Sequence, residues 1–376
     1  MSQLTEVQRA KFGLLEKGLN ISGNARLALE QALDGHDLSS HDFASTSGII
    51  LELDRSVWVN APIYTYNPNF VDSTPYCLEF DNQFYLSNGD FACSASIWMP
   101  PSFHKQTEPN LRNYVVTHGD RARLSPIRSC AMKCDFCNIP FEDPIEQYRL
   151  KPLDSIRLAL DAAVNDAVQP ARHLLISGGT PKPKDVDWMR QLYYSILEMY
   201  PHIPVDIMMV PVPGLFNLSE LAARGLNELS INIELFDQKY AKRWMPNKFH
   251  LGLDPYLALI EAASNELGIG RSRSMLMVGL EPMEATLAGV RAIAERGGTP
   301  VLSPFRPDPA TPLHNFPTPT ALAMERVYVS ASEIVERYGV ALGPACAPCS
   351  HNTISFAPEG QSSRYIHPRL RMIGTA

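Results

Sequence analysis

The chain has 376 residues, 45% of them hydrophobic and 19% charged, with a formal net charge of −7 and a pI near 5.8. Such a length buries one large core, or one core beside a smaller domain, and the composition is that of an ordinary globular protein. There is no basic field to gather polyanions, so nucleic acid is disfavoured as a partner.

The N-terminal stretch MSQLTEVQRAKFGLLEKGL lacks the apolar run of a signal peptide, and no run of 18 apolar residues occurs anywhere. A cytoplasmic protein without membrane spans is expected. In that reducing compartment thiols persist as thiols or metal ligands, and seven cysteines, an odd number, fit no simple disulfide framework.

In chain order, residues 1–117 read as a small, partly β, accessory domain. An amphipathic helix is expected over about 24–35, then short strands within GIILELDRSVWVNAP (48–62) and CLEFDNQFYLSNGDFACSASIWM (77–99), separated by turn signals such as Asn88-Gly89-Asp90. PPSFHKQTEPNLRN (100–113) reads as a linker.

From about His118 the rhythm becomes strand, loop, helix. Apolar strands are expected at 122–127, 173–176, 205–210, 228–235, 274–278 and 300–303. Helices are expected at 153–168, 185–200, 218–224, 254–266 and 284–296, with a last one at 321–338. Near-continuous apolar strands alternating with amphipathic helices predict right-handed crossovers and a parallel sheet. The expected fold is therefore α/β: a partial (β/α)6 TIM-like barrel over 118–315, behind the N-terminal α+β accessory domain. Residues 316–376 form a C-terminal extension with a helix and a Cys-x2-Cys pair.

The stretch SCAMKCDFC holds Cys130, Cys134 and Cys137 as C-x3-C-x2-C, on a loop just beyond the first barrel strand. In a (β/α) barrel that end carries catalysis. Three thiolates hold three corners of a tetrahedral or cubane site, whereas a closed structural zinc site wants four ligands. Three ligands leave one corner open for chemistry. A zinc knuckle or reduced core cysteines are the plainer alternatives.

Further along, LLISGGTPKPKD places two glycines after the second strand, where backbone can approach a ligand without an intervening Cβ. In NELSINIELFD, period-2 spacing along a strand puts Ser230, Asn232 and Glu234 on one lumen-facing side. Arg306 and Asp308 follow the sixth strand and are expected at the barrel mouth.

The pair Cys346 and Cys349, with His351 close by, permits several readings. It could be half of an auxiliary iron–sulfur site completed by Cys77, Cys93, His351 or a substrate atom. A structural zinc site, a redox dithiol and a turn with two reduced thiols also fit. His118 and His173 read as structural.

The pattern C-x3-C-x-aromatic-C, with Phe136 in the aromatic slot, resembles the radical S-adenosylmethionine (SAM) superfamily. The resemblance covers roughly 118–315. It implies a [4Fe–4S] cluster on Cys130, Cys134 and Cys137, with the amino and carboxylate groups of SAM on the fourth iron. Reductive cleavage of SAM would give methionine and a 5′-deoxyadenosyl radical that takes hydrogen from a small-molecule substrate, in an oxygen-sensitive enzyme fed by an electron donor such as flavodoxin or ferredoxin.

The resemblance also implies that Ser177, Gly178, Gly179 and Thr180 contact the methionyl amine, and that Asn232 or Glu234 lies near ribose or methionine. Val278, Gly279, Leu280 and Glu281 would pack on adenine. Arg271 and Arg273 would either fork onto the SAM carboxylate or stand solvated at the strand entry.

Cofactor or natural-product biosynthesis is the expected role. One alternative inserts sulfur from a second iron–sulfur cluster on the C-terminal pair; another, of a different class, is a zinc-stabilised non-catalytic binding protein. The C-terminus has too few cysteines for the auxiliary domain of peptide-modifying members, and residues 1–117 lack the Asp-x-His-x2-Gly signature of a cobalamin domain.

Overall fold

A computed structural model describes residues 4–33, 48–64, 71–106, 108–142, 145–356 and 370–374. The end of the expected helix, 34–35, and Thr107 of the linker stretch lie outside them. The N-terminal unit begins with helix α1 (Glu6–Lys17), whose Thr5 side chain accepts from Gln8 N at 3.2 Å while the Gln8 side chain accepts from Thr5 N at 3.0 Å. This reciprocal cap satisfies two otherwise orphaned amides.

Strand β1 (Asn20–Ile21), helix α2 (Gly23–Ala32) and strands β2 (Gly48–Leu53), β3 (Val57–Pro62), β4 (Cys77–Asp81), β5 (Gln83–Asn88) and β6 (Phe91–Trp98) follow. They form one sheet in the order β1-β4-β5-β6-β2-β3.

The second sheet opens with a hairpin, β7 (Val115–His118) and β8 (Arg121–Leu124), so the expected boundary at 117 falls inside β7. Its two-residue turn is Gly119-Asp120. Gly119 has φ of 61°, and a Cβ there would lie 2.8 Å from Pro348 Cβ. Both the turn and a distant segment therefore demand glycine.

A short antiparallel pair, β9 (Ile127–Arg128) with β10 (Arg149–Leu150), brackets the cysteine loop and helix α3 (Ile139–Glu142). The alternation then runs α4 (Leu153–Val164), β11 (His173–Ile176), α5 (Val186–Met199), β12 (Val205–Met208), α6 (Leu218–Ala223) and β13 (Leu226–Ser230). Helices α7 (Gln238–Trp244), α8 (Pro246–Phe249) and α9 (Asp254–Leu267) lead to β14 (Ser272–Val278), α10 (Met283–Ala294), β15 (Thr299–Pro304) and α11 (Ala321–Tyr338).

The strand order is β15-β14-β13-β12-β11-β8-β7, with the first six mutually parallel and β7 antiparallel at the edge. Among the described residues β8 and β15 do not pair, so this is an open, six-unit (β/α) barrel. All four residues of β11 are buried, as a strand covered on both faces requires.

The fourth barrel strand stops at Ser230, short of the expected 235. Asn232 Oδ1 accepts from Met275 N at 3.2 Å and from Ser230 Oγ at 2.8 Å, so a side chain replaces the ladder. Glu234 then turns left-handed, with φ of 69°. The regular ladder ends at Ser230, yet the Ser230 and Asn232 side chains meet and Glu234 keeps an isolated parallel bridge to Leu276.

The C-terminal segment covers the opening. Gly343 N donates to Pro300 O at 2.8 Å and Ile354 N to Leu302 O at 3.0 Å, so it runs along β15. A 3-10 turn over Pro348–Asn352 meets Gly119 on the far side of the gap. The last described strand, β16 (Met372–Ile373), pairs with β6. No helix among the described residues is long and apolar enough to cross a membrane.

Candidate active site

The cysteine loop leaves β9 through two non-glycine residues in left-handed conformation, Ser129 (φ 70°) and Lys133 (φ 45°). Each such residue costs about 1–2 kcal/mol, which its surroundings must offset. They do so through the segment α7–α8: Asp135 N donates to Trp244 O and Asn247 Nδ2 to Ala131 O, both at 2.8 Å.

Cys134 is buried and Cys130 and Cys137 are half-buried. Burial pushes the Cys134 thiol well up, and the neighbouring Glu234, Cys137 and Cys130 push in the same direction against Lys248. Burial likewise raises Cys137 to about 11, with Glu234 and Cys130 adding to it and the Ile139 amide and Lys248 opposing.

Three soft donors thus crowd one another in a dry place where their ionisation is costly. A cationic centre bound among them removes that cost, so the donor set fits an iron–sulfur cluster. Two donors already face sulfur: Met132 N lies 3.5 Å from Cys130 Sγ, and Thr180 Oγ1 lies 3.8 Å from it.

Around the thiols stands an apolar shell of Leu235, Ala241, Met245, Leu280, Phe305 and Leu313, with Phe136, Trp244 and Phe316 packed against it. Leu280 and Phe305 sit just past the C-terminal ends of β14 and β15, at the mouth where the cysteine loop also lies. Such a lining lowers the local dielectric and excludes water.

Ser177 and Thr180 are buried, and Ser177 N donates to Leu124 O at 2.8 Å. Gly178 and Gly179 are left-handed, with φ of 82° and 71°. A Cβ on Gly179 would lie 2.6 Å from Ile127 Cβ and 2.9 Å from Ser129 O, and one on Gly178 would lie 2.9 Å from Ser125 Oγ. The glycines let this loop press on the backbone that feeds the cysteines.

Asn232 and Glu234 approach the thiols from the side of β13. Lys248, which sequence reasoning missed, donates to Glu234 Oε2 at 2.7 Å and to Asn232 O at 3.2 Å. Glu281 is engaged by protein: it accepts from Phe236 N, Asp237 N and Thr286 Oγ1 at 2.9, 2.8 and 3.1 Å. Burial raises its pKa and those bonds oppose the rise. Gly279 (φ 106°) lies against Pro319 and, with Val278, Glu281, Thr286 and Arg326, lines a cavity of about 350 Å³.

Several polar residues lie elsewhere than expected. Arg273 is buried on Asp206 (3.1 Å) and Glu228 (2.6 Å), neither forked onto a mouth ligand nor solvated. Arg271 donates to the Asn227 and Leu226 carbonyls at 2.8 and 3.2 Å. Arg306 is buried, donating to Asn60 O at 3.0 Å and Asn352 Oδ1 at 2.6 Å, so it joins the accessory sheet and the C-terminal segment to the barrel. Asp308 caps its own turn, accepting from Ala310 N at 2.9 Å.

Cys346 and Cys349 are joined as a disulfide. Their neighbours are Asp120 and His173, both buried. Cys77 and Cys93 stay on β4 and β6 of the accessory sheet, and His351 Nδ1 lies 2.6 Å from Pro348 O. His173, expected to be structural, is thus beside the pair. Burial lowers its pKa against the opposing pull of Asp120 and Asp206.

An open parallel barrel with three thiols beyond its first strand defines a class: enzymes that work through a metal cluster at the barrel mouth. Residues 124–287 of the chain, which make up most of the barrel, match the family model described as the radical SAM superfamily.

Over 198 residues it is 24% identical to bacteriochlorophyllide c C-7(1)-hydroxylase of Chlorobaculum limnaeum, covering 50% of this chain and 48% of the relative. The chain therefore spans about half the length of that curated relative. Similar solved structures include the FeFe-hydrogenase maturase HydG from Carboxydothermus hydrogenoformans (TM-score 0.44, 16% identity, 59% of this chain and 53% of that one). Another is a radical SAM methyltransferase from Sphaerobacter thermophilus (TM-score 0.44, 14% identity, 75% and 82%).

Proposed function

We propose that the chain holds a [4Fe–4S] cluster on Cys130, Cys134 and Cys137, binds SAM beside it, and takes hydrogen from a small-molecule substrate in cofactor biosynthesis. The carrying observation is the meeting of three thiols at the barrel mouth with the Ser177–Thr180 loop, Thr180 Oγ1 lying 3.8 Å from Cys130 Sγ. When bound, the cluster supplies one electron, and SAM supplies the 5′-deoxyadenosyl group that abstracts hydrogen.

The chain's own residues do the rest. Ser177, Gly178, Gly179 and Thr180 orient the methionyl end, while Val278, Gly279, Leu280 and Glu281 pack on the adenine. Asn232, Glu234 and Lys248 fix the wall beside Cys134. Leu280, Phe305 and Phe136 keep water from a radical that would otherwise be quenched. Likeness to a hydroxylase named for a bacteriochlorophyllide supports a substrate of small-molecule kind. A small acidic flavoprotein or ferredoxin is the electron donor in this reading.

The test is anaerobic. Iron-replete protein given dithionite and SAM is expected to release 5′-deoxyadenosine and methionine; iron-replete protein that releases neither overturns the proposal.

A further inference from the structure

We propose that Cys346, Cys349, His173 and Asp120 form a second metal site, a mononuclear zinc(II) centre that staples the opening of the barrel. Each residue offers one ligand atom, all four atoms lie within 4.8 Å of one another, and all four residues are buried. Cys346 Sγ is 3.4 Å from Asp120 Oδ1, and Cys349 Sγ is 3.7 Å from His173 Nε2.

Tetrahedral zinc, with bonds of about 2.0–2.3 Å, sets its ligand atoms roughly 3.3–3.8 Å apart. The two sulfur-to-oxygen and sulfur-to-nitrogen distances above fall in that range, and the two sulfurs, 2.04 Å apart in the disulfide, separate on reduction. A cubane instead spreads its ligands over separate irons, and it favours thiolate over carboxylate. Two sulfurs, one imidazole and one carboxylate converging on one point suit a single borderline ion better. Supporting bonds are in place: Cys349 N donates to Cys346 Sγ at 3.2 Å, and Asp120 O accepts from Arg172 N at 2.7 Å.

The disulfide and the ion are alternative states of the same two sulfurs. A dithiol reductant opens the disulfide, giving two electrons and two protons and becoming a disulfide itself. Zinc then displaces the two thiol protons.

The position explains the role. The two cysteines belong to the segment that runs along β15, the last barrel strand. Asp120 lies in the β7–β8 turn and His173 begins β11. One ion therefore ties the two sides of a ring that the sheet leaves open. It does so at the N-terminal ends of the strands, a strand length of about 13 Å from the mouth, since β8 has four residues. The centre is structural, and it stands independently of the reading of the first three cysteines.

The experiment uses the full chain with Cys130→Ala, Cys134→Ala and Cys137→Ala combined, purified in dithiothreitol, with metals counted by mass spectrometry. About one zinc and no iron per chain is expected, and adding Cys349→Ser is expected to bring zinc close to zero. Zinc unchanged by Cys349→Ser, or iron in place of zinc, overturns the proposal.

Should the quadruple variant fail to fold, the wild type decides. Reduced protein stripped with a chelator is expected to unfold several degrees lower and to recover on adding zinc chloride alone. No zinc in the reduced wild type, or no shift on stripping and refilling, overturns it equally.

Discussion

Lys248 Nζ lies 2.7 Å from Glu234 Oε2, with both side chains nearly buried and Cys134 alongside. Burial pulls the lysine pKa down; Glu234 first, then Cys134 and Tyr256, outweigh burial and hold it above the ordinary lysine range. The pair thus keeps a fixed cation beside the thiols proposed to hold the cluster.

Lys248→Met strands Glu234 as a buried, unpaired carboxylate. The expected loss is about 3–5 kcal/mol of folding stability, read by anaerobic urea denaturation. Adding Glu234→Gln should recover part of that loss. Strictly additive effects in this cycle contradict the coupling.

Thr180→Val removes the hydroxyl 3.8 Å from Cys130 Sγ while keeping the side-chain shape. Hydrogen bonds to cluster sulfurs raise reduction potential. A net bond of about 0.5–1.5 kcal/mol corresponds to roughly 20–65 mV for one electron, so the cluster potential should fall by that amount. Redox titration followed by electron paramagnetic resonance checks it; an unchanged potential means the hydroxyl does not address the sulfur.

A pH effect follows from Lys11, which is buried in α1 with Nζ donating to Ser350 O at 2.9 Å and Ser355 O at 2.7 Å. Burial lowers its pKa from 10.5 to about 7. Between those two values the unfolded chain holds a proton that the folded chain has shed, so stability rises with pH across the window. Below about 7 both states are protonated and the cost of burying the cation is present in full; above 10.5 that cost is gone. Lys11→Met should flatten the rise, which is on the order of a few kcal/mol. Thermal unfolding of both proteins from neutral to alkaline pH compares the slopes, and equal slopes contradict this account.

The local features were legible. Helix 321–338 has its expected limits, where Thr320 caps it and left-handed Gly339 ends it. The strand–helix alternation likewise follows from short-range periodicity. The fourth strand was over-extended because alternating polarity in SINIEL mimics a strand, whereas Asn232 bonds locally and Glu234 turns left-handed.

What remained hidden is long-range. Asp120 reaches Cys346 across 226 positions, and no spacing rule links them. Lys248 lies among lysines and arginines that mostly face solvent, and only the fold of α7–α8 under the cysteine loop distinguishes it. The glycines of GGTP were singled out for approach to a ligand, whereas the close approach observed is to Ile127 and Ser129 of the cysteine loop.

The central claim is that Cys130, Cys134 and Cys137 together hold the cluster. Iron should be counted per chain after anaerobic reconstitution and desalting, in the wild type, Cys134→Ala and Cys349→Ser. The account predicts about four irons in the wild type and in Cys349→Ser, and essentially none in Cys134→Ala. A Cys134→Ala protein that keeps the wild-type iron contradicts it.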